Sequence, residues 1–246
     1  MMMESRRSLL LVRHAQSLHN VAEIEALGRP EGELYFRYRK DLLDCPISPL
    51  GHEQVEAASQ ILNSYNVKVV FASPLRRTLM TATGLFKSHP NKPKIYAYPP
   101  LREIMACACD IPDNLDKIKK EFPHVDFTYV DMLPIKELWA YYSLKNEKYR
   151  NKIFQELQEK FPSPEDLAQN NSIHVLEKME KLHPERIELI SDVNERVREA
   201  KIFLEDKVKT MLGEDERLAV VAHFTFLKAF TATKFDENGE PLDGTT

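Results

Sequence analysis

Three short apolar runs, each followed at once by a basic or imidazole side chain, constrain this chain more than any other feature. Residues 8–12 (SLLLV) lead into Arg13 and His14, residues 67–72 (VKVVFA) into Ser73-Pro74-Leu75-Arg76-Arg77, and residues 218–222 (LAVVA) into His223. Runs of this length read as buried strands, and residues 94–97 (KIYA) read as a fourth. Helical patterns lie between them. Ser48 is placed as an N-cap with Pro49 at the first helical position, and Leu50, Val55, Ala58, Ile61 and Leu62 follow at roughly helical spacing. Another helix follows Pro74. A third opens at Ser191 and repeats Val193, Val197, Ala200, Leu204, Val208 and Met211 at i+3 or i+4 until Gly213 stops it. Strands alternating with helices make an α/β sheet, whose ligands bind beyond the carboxyl ends of the strands. If the strands are parallel neighbours, two imidazoles and at least one guanidinium meet at one sheet edge, forming a pocket for a dianion.

Composition narrows the choices for what that pocket serves. The chain has 246 residues, 43% hydrophobic and 29% charged, enough for one large domain or two small ones. No apolar run approaches the roughly 18 to 20 residues of a membrane span. A net charge of −4 gives no bulk case for nucleic-acid binding or a polybasic membrane anchor, so an anion must be held by local charge. Cys45, Cys107 and Cys109 form no CxxC pair, which argues against a disulfide framework or structural zinc and points to a reducing compartment. The apolar stretch near the N-terminus is shorter than the roughly 7 to 15 residues of a signal-peptide core, which places the protein in the cytoplasm. No heptad or long apolar edge strand sets an oligomeric state.

Residues 104–190 differ from the rest, with many prolines, helical stretches such as 146–160 and no clear buried strand, and read as an insertion. Its aromatics, including Phe122, Trp139, Tyr141 and Tyr142, are expected to pack it onto the main core. The chemistry suited to the dianion pocket is phosphoryl transfer, which consists mostly of positioning and charge neutralisation. A neutral histidine nitrogen can attack phosphorus in line, and the leaving alkoxide then needs a proton. Glu103, in Leu101-Arg102-Glu103 after the fourth strand, is the best-placed general acid by chain order, and a nearby phosphate pushes its pKa upward.

The stretches LVRHAQSLHN, SPLGHEQ, ASPLRRTLMTA, LRE and VVAHF resemble, in order, the motifs of the histidine phosphatase superfamily, also called the phosphoglycerate mutase-like family. RHAQ followed by His-Asn, with a Cys-Asp dipeptide after LRE, is most similar to the plant and fungal phosphoglycerate mutase-like proteins. The resemblance covers residues 9–103 and 217–230 and is weak in the insertion. It implies a three-layer α/β/α sandwich with a mostly parallel sheet, as a single domain over 1–246 with 104–190 as a helical cap. It also makes His14 the nucleophile, Arg13, Arg77 and His223 the phosphate pocket and Glu103 the proton donor. Ser17 and Asn20 fall where relatives often place polar contacts to the phosphoryl group.

Some positions depart from the pattern. Phe224 and Thr225 follow His223 where glycine is usual, Met80 stands for a common glutamine, and many relatives continue past the position of Thr246 into another edge strand. His52, His89, His124, His174 and His183 show no metal-ligand spacing and read as solvated, and Arg76 as a surface neighbour. His19 suits the pocket or helix packing equally. Arg37, Arg39 and Lys40 suit a solvated helix face better than an anion-greeting patch. Cys107 and Cys109 read as buried or loop thiols. The expectation is a metal-independent phosphatase with no cofactor, acting on a small phosphorylated metabolite through phosphohistidine at His14. The rivals are a phosphomutase and a non-enzymatic protein that binds a phosphorylated ligand.

Overall fold

The computed structural model describes residues 8–182 and 188–246, so His183 lies outside the described residues. Its strands are β1 (Ser8–Arg13), β2 (Val67–Ala72), β3 (Lys94–Ala97) and β4 (Arg217–Ala222). The helices are α1 (Leu18–Glu25), α2 (Leu34–Arg37), α3 (Pro49–Leu62), α4 (Arg76–Phe86), α5 (Leu115–Glu121), α6 (Thr128–Asp131), α7 (Trp139–Tyr142), α8 (Glu147–Lys160), α9 (Pro164–Leu182), α10 (Ile190–Met211) and α11 (Phe224–Thr231). The strands form one fully parallel sheet in the order β1-β4-β2-β3. Their ends are level: Arg13 pairs with Ala222, Ala72 with Val221 and Ala97 with Ala72. The ladder continues one residue further, with His14 N donating to Ala222 O at 2.9 Å and Ser73 N to Val221 O at 3.1 Å. Parallel pairing, with one register irregularity at Val67/Val69 far from these ends, brings the strand-end motifs to one edge.

Both sheet faces are apolar, as a sheet covered on both sides requires. Val70, Ala72, Ala219 and Val221 face α3 and α4, while Val69, Phe71, Leu218 and Val220 face α10 and α11. The result is a three-layer α/β/α sandwich. Ser48 caps α3 as expected, its Oγ accepting from Gly51 N at 3.1 Å, with Pro49 opening the helix. A Cβ on Gly51 would fall 2.3 Å from the Gln16 carbonyl oxygen, so glycine permits α3 to approach the loop after β1. Helix α10 begins one residue before Ser191 and ends at Met211. Extended Leu212 (φ −107°, ψ 138°), rather than a left-handed Gly213, stops it.

Between residues 104 and 182 the regular structure described is a series of helices joined by loops, with a single bridge, Tyr96 to Asp126, beside β3. Ile118, Phe122, Trp139, Tyr141, Ile153 and Val175 join the core on the α3/α4 face, so the aromatics pack as expected. A fully buried ionic triad ties this segment to the sandwich. Arg102 Nη2 donates to Glu188 Oε1 at 2.9 Å, Arg196 Nη2 to the same oxygen at 3.1 Å, and Met105 N to Glu188 Oε2 at 2.9 Å. Burial disfavours the charge on Glu188, but Arg102 and Arg196 together hold its carboxyl below the usual range. Glu188→Gln is expected to cost about 3–5 kcal/mol, because two buried guanidinium groups lose their counter-ion. The check is the urea midpoint. Since the folded pKa is depressed, this stability is present near neutral pH and is lost as pH falls through and below 4.5.

Candidate active site

The loop after β1 delivers His14, which is 9% exposed. Its Nδ1 lies 2.8 Å from the Ala15 carbonyl oxygen, an acceptor only, so Nδ1 carries the proton and Nε2 keeps its lone pair. Arg77 Nε donates to that Nε2 at 3.4 Å. Burial, followed by the charge of Arg77, holds the His14 pKa well below the ordinary histidine value, so the ring is neutral at physiological pH. His223, from the end of β4, stands 5.1 Å away ring to ring, tilted by 60°. It is fully buried behind His14 and off the cavity wall, with Nε2 2.9 Å from Ser73 Oγ and a buried Nδ1 that has no partner.

Arg77, on the first turn of α4, is also buried. Its Nη2 donates to Asp110 Oδ1 at 2.9 Å and its Nη1 to the Cys109 carbonyl. Asp110 Oδ2 accepts in turn from Ala106 N (3.2 Å) and Cys107 N (3.0 Å), locking the loop after Glu103 around the guanidinium. Glu103 accepts from Ile104 N at 2.9 Å and from Thr225 N, at the start of α11, at 3.0 Å. Burial, then the neighbouring Asp110 charge, raises its pKa above the ordinary glutamate value. Arg13 is exposed, with its guanidinium 5.0 Å from the centre of the Phe224 ring and no ion pair among the described residues.

Arg13, His14, Ser17, Asn20, Arg77 and Glu103 line one cavity of about 300 Å³, together with Asp110. Six of the seven residues expected at the site therefore meet on one wall, and His223 stands directly behind it. Ser17 is committed elsewhere, however. Its Oγ donates to Asn20 Oδ1 at 2.9 Å and accepts from Asn20 N, a capping box that satisfies the amide groups at the start of α1. His19 also lines the cavity, while its ring packs edge-on against Phe36 at 4.9 Å. Phe224 is 44% exposed at the cavity mouth, and Met80 packs against the α3/α4 core.

Several readings of single residues change. Arg76 is a half-buried clamp, with its N–H on Asp44 Oδ1 (2.8 Å) and its guanidinium on Asp113 and Glu121 (both 3.0 Å). Two acidic residues of the 104–190 segment attract it inward. His89 is 1% exposed, with Nε2 3.1 Å from the Tyr65 carbonyl oxygen and Nδ1 accepting from Asn91 N at 3.2 Å, so it fastens a turn instead of meeting solvent. His52 and His124 are exposed and His174 is half-buried. Arg37, Arg39 and Lys40 pair with Glu33, Asp41 and Glu177 and do not line the cavity. Cys109 is buried and Cys107 half-buried, both as free thiols. Asp110 was missed as a site residue; its only signal in the sequence is the Cys-Asp dipeptide after LRE. Among the described residues no group of three or more His, Cys, Asp or Glu could hold a metal ion, and no helix is long and apolar enough to cross a membrane.

The segments beyond the level strand ends thus carry His14, Arg77 and His223, and Glu103 lines the same cavity as His14 and Arg77. Residues 9–125, just under half of the chain, match the family model of the histidine phosphatase superfamily (branch 1). Two curated relatives are from Arabidopsis thaliana. A phosphoglycerate mutase-like protein is 30% identical over 158 residues, 51% of this chain and 55% of its own length. Phosphoglycerate mutase-like protein 2 is 26% identical over 181 residues, 51% of each chain. The chain thus spans about half the length of these relatives. Among solved structures, Bacillus stearothermophilus YhfR is 18% identical, with a TM-score of 0.47 over 90% of this chain and 77% of that one.

Proposed function

We propose that the protein is a metal-independent phosphatase that hydrolyses a small phosphorylated metabolite through a phosphohistidine on His14. The observation that carries this reading is the unprotonated Nε2 of a neutral, buried His14, held by Arg77 in a cavity that Glu103 also lines. In the first step the Nε2 lone pair attacks phosphorus in line, the ester P–O bond breaks, and the Glu103 proton passes to the leaving oxygen. In the second step water attacks phosphorus, Glu103 takes its proton, and the P–N bond breaks to restore neutral His14 and release phosphate. Arg77 and Arg13 neutralise the equatorial oxygens. His223, whose ring stands 5.1 Å from that of His14, backs the nucleophile from the buried side of the cavity. Asn20 keeps its Nδ2 as a donor at the wall, whereas the Ser17 hydroxyl serves the cap.

The test is phosphate release from a broad panel of phosphorylated metabolites by wild type and His14→Ala, with EDTA throughout. Release that survives EDTA and is lost in the variant supports the reading, because guanidinium groups supply the charge. Exchange between phosphorylated isomers without net release would make the protein a mutase. Equal background values for both proteins in both assays would make it a phospho-ligand-binding protein. Glu103→Gln is expected to slow alkyl phosphates by about 10²-fold or more and p-nitrophenyl phosphate far less, since nitrophenolate barely needs a proton. Uniform loss across leaving groups would move Glu103 to a structural role.

A further inference from the structure

The cavity over His14 continues past Asn20 and Glu23 into a second lobe of about 420 Å³, whose wall adds Gln16, Gln54 and Ile24. Besides Arg13 and His14, which it shares with the first cavity, its polar groups are three amides and Glu23, and hydrogen-bond partners fix which way each amide points. Ser48 Oγ accepts from Gly51 N, so its own proton goes to Gln16 Oε1, 2.6 Å away. The backbone N–H of Gln16 donates to Gln54 Oε1 at 2.8 Å. Asn20 Oδ1 accepts from Ser17 N at 3.0 Å. All three carbonyl oxygens are engaged, which leaves the NH₂ groups of Gln16, Gln54 and Asn20 as donors. Glu23 supplies a carboxylate acceptor, its Oε2 3.5 Å from Asn20 Nδ2.

Amide donors interleaved with a carboxylate acceptor match hydroxyl groups, each of which accepts one hydrogen bond and donates another. Arg13 also lines the lobe, but the phosphoryl group on His14 claims it, so a second phosphate or a carboxylate would meet Glu23 as a like charge. The lobe opens directly off the His14 cavity and is large enough for a sugar-sized group. Resting on the phosphatase reading, we infer that this lobe is the leaving-group subsite and that the substrate is the monophosphate ester of an uncharged, polyhydroxylated alcohol, a sugar or polyol monophosphate. When the P–O bond breaks, the freed alcohol is held by Gln16, Gln54 and Glu23 until it diffuses away.

The test compares kcat/KM for glucose 6-phosphate, sorbitol 6-phosphate, 3-phosphoglycerate, fructose 1,6-bisphosphate and p-nitrophenyl phosphate. The sugar and polyol monophosphates, whose alcohol part is uncharged, are expected to exceed the two esters that carry a second anionic group by about tenfold or more. Gln54→Glu keeps the oxygen that accepts from Gln16 N and removes the NH₂ donor at an exposed position. It is expected to lower the ratio of sugar phosphate to p-nitrophenyl phosphate kcat/KM by about tenfold. Glu23→Lys is expected to narrow the preference over 3-phosphoglycerate. Equal or better use of 3-phosphoglycerate by wild type, or an unchanged ratio in Gln54→Glu, would overturn the inference while leaving the phosphatase reading in place. Failure to release phosphate from every ester, p-nitrophenyl phosphate included, by folded protein would overturn that reading and the inference with it.

Discussion

Replacing His14 by alanine is expected to lower phosphate release by at least about 10³-fold, the largest effect of any single change. The loss follows from the proposed chemistry: without Nε2 there is no nucleophile, and water must attack an ester in a pocket shaped to place the histidine there. Added imidazole, small enough for the vacated space, is expected to restore part of the rate, which a folding defect would not allow. A variant that keeps more than about a tenth of wild-type activity would remove His14 from the reaction.

Arg77→Ala is expected to act on activity and stability together. Removing the guanidinium beside Nε2 withdraws transition-state stabilisation of about 3–4 kcal/mol, a fall of 10²- to 10³-fold in kcat. It also leaves the Asp110 carboxylate, 4% exposed, without its counter-ion, which costs about 3–5 kcal/mol of folding stability. The double variant Arg77→Met, Asp110→Asn separates the two effects, recovering most of the melting temperature and none of the activity. Lysine is a poor substitute at position 77 because it lacks the fork that spans His14, Cys109 and Asp110. Full activity in Arg77→Ala would contradict its placement at the reacting phosphorus.

The site's pH dependence has a definite sign. In the proposed reaction His14 attacks as the neutral ring, and its depressed pKa puts the acid limb of the profile well below pH 6.5. Glu103 must be protonated to serve as acid, and its elevated pKa puts the alkaline limb above 4.5. For alkyl esters kcat/KM is expected to peak in mildly acidic buffer and to fall as Glu103 ionises, whereas p-nitrophenyl phosphate gives a flatter profile. Identical profiles for the two ester types would contradict the acid role of Glu103.

The strands and the residues at their ends were legible because both are local signals. An apolar run and the polar residue that ends it sit side by side in the chain, and Ser48-Pro49 announces α3 as plainly. Parallel pairing then required no further information to gather His14, Arg77 and His223. What the sequence hid depends on long-range contacts. Asp110 matters because Arg77 reaches it across 33 positions, Arg76 is drawn in by Asp113 and Glu121, and Glu188 is buried because Arg102 lies 86 positions away. Ser17 illustrates a conflict between two local rules: a serine beside a reacting histidine suggests a phosphate contact, yet the unpaired amides of α1 claim its hydroxyl first. His89 resembled the solvated histidines because nothing nearby in sequence foretells the Tyr65 carbonyl that receives it.

The most direct test of the central claim is to trap the phosphoryl group on the protein. Wild-type enzyme turning over a good ester substrate is quenched under alkaline conditions, which preserve phosphohistidine, digested and examined by mass spectrometry. A peptide phosphorylated at His14, absent from His14→Ala and accumulating further in Glu103→Gln with p-nitrophenyl phosphate, is the predicted result. Phosphate on another residue, or rapid hydrolysis with none on the protein at any quench time, would contradict it.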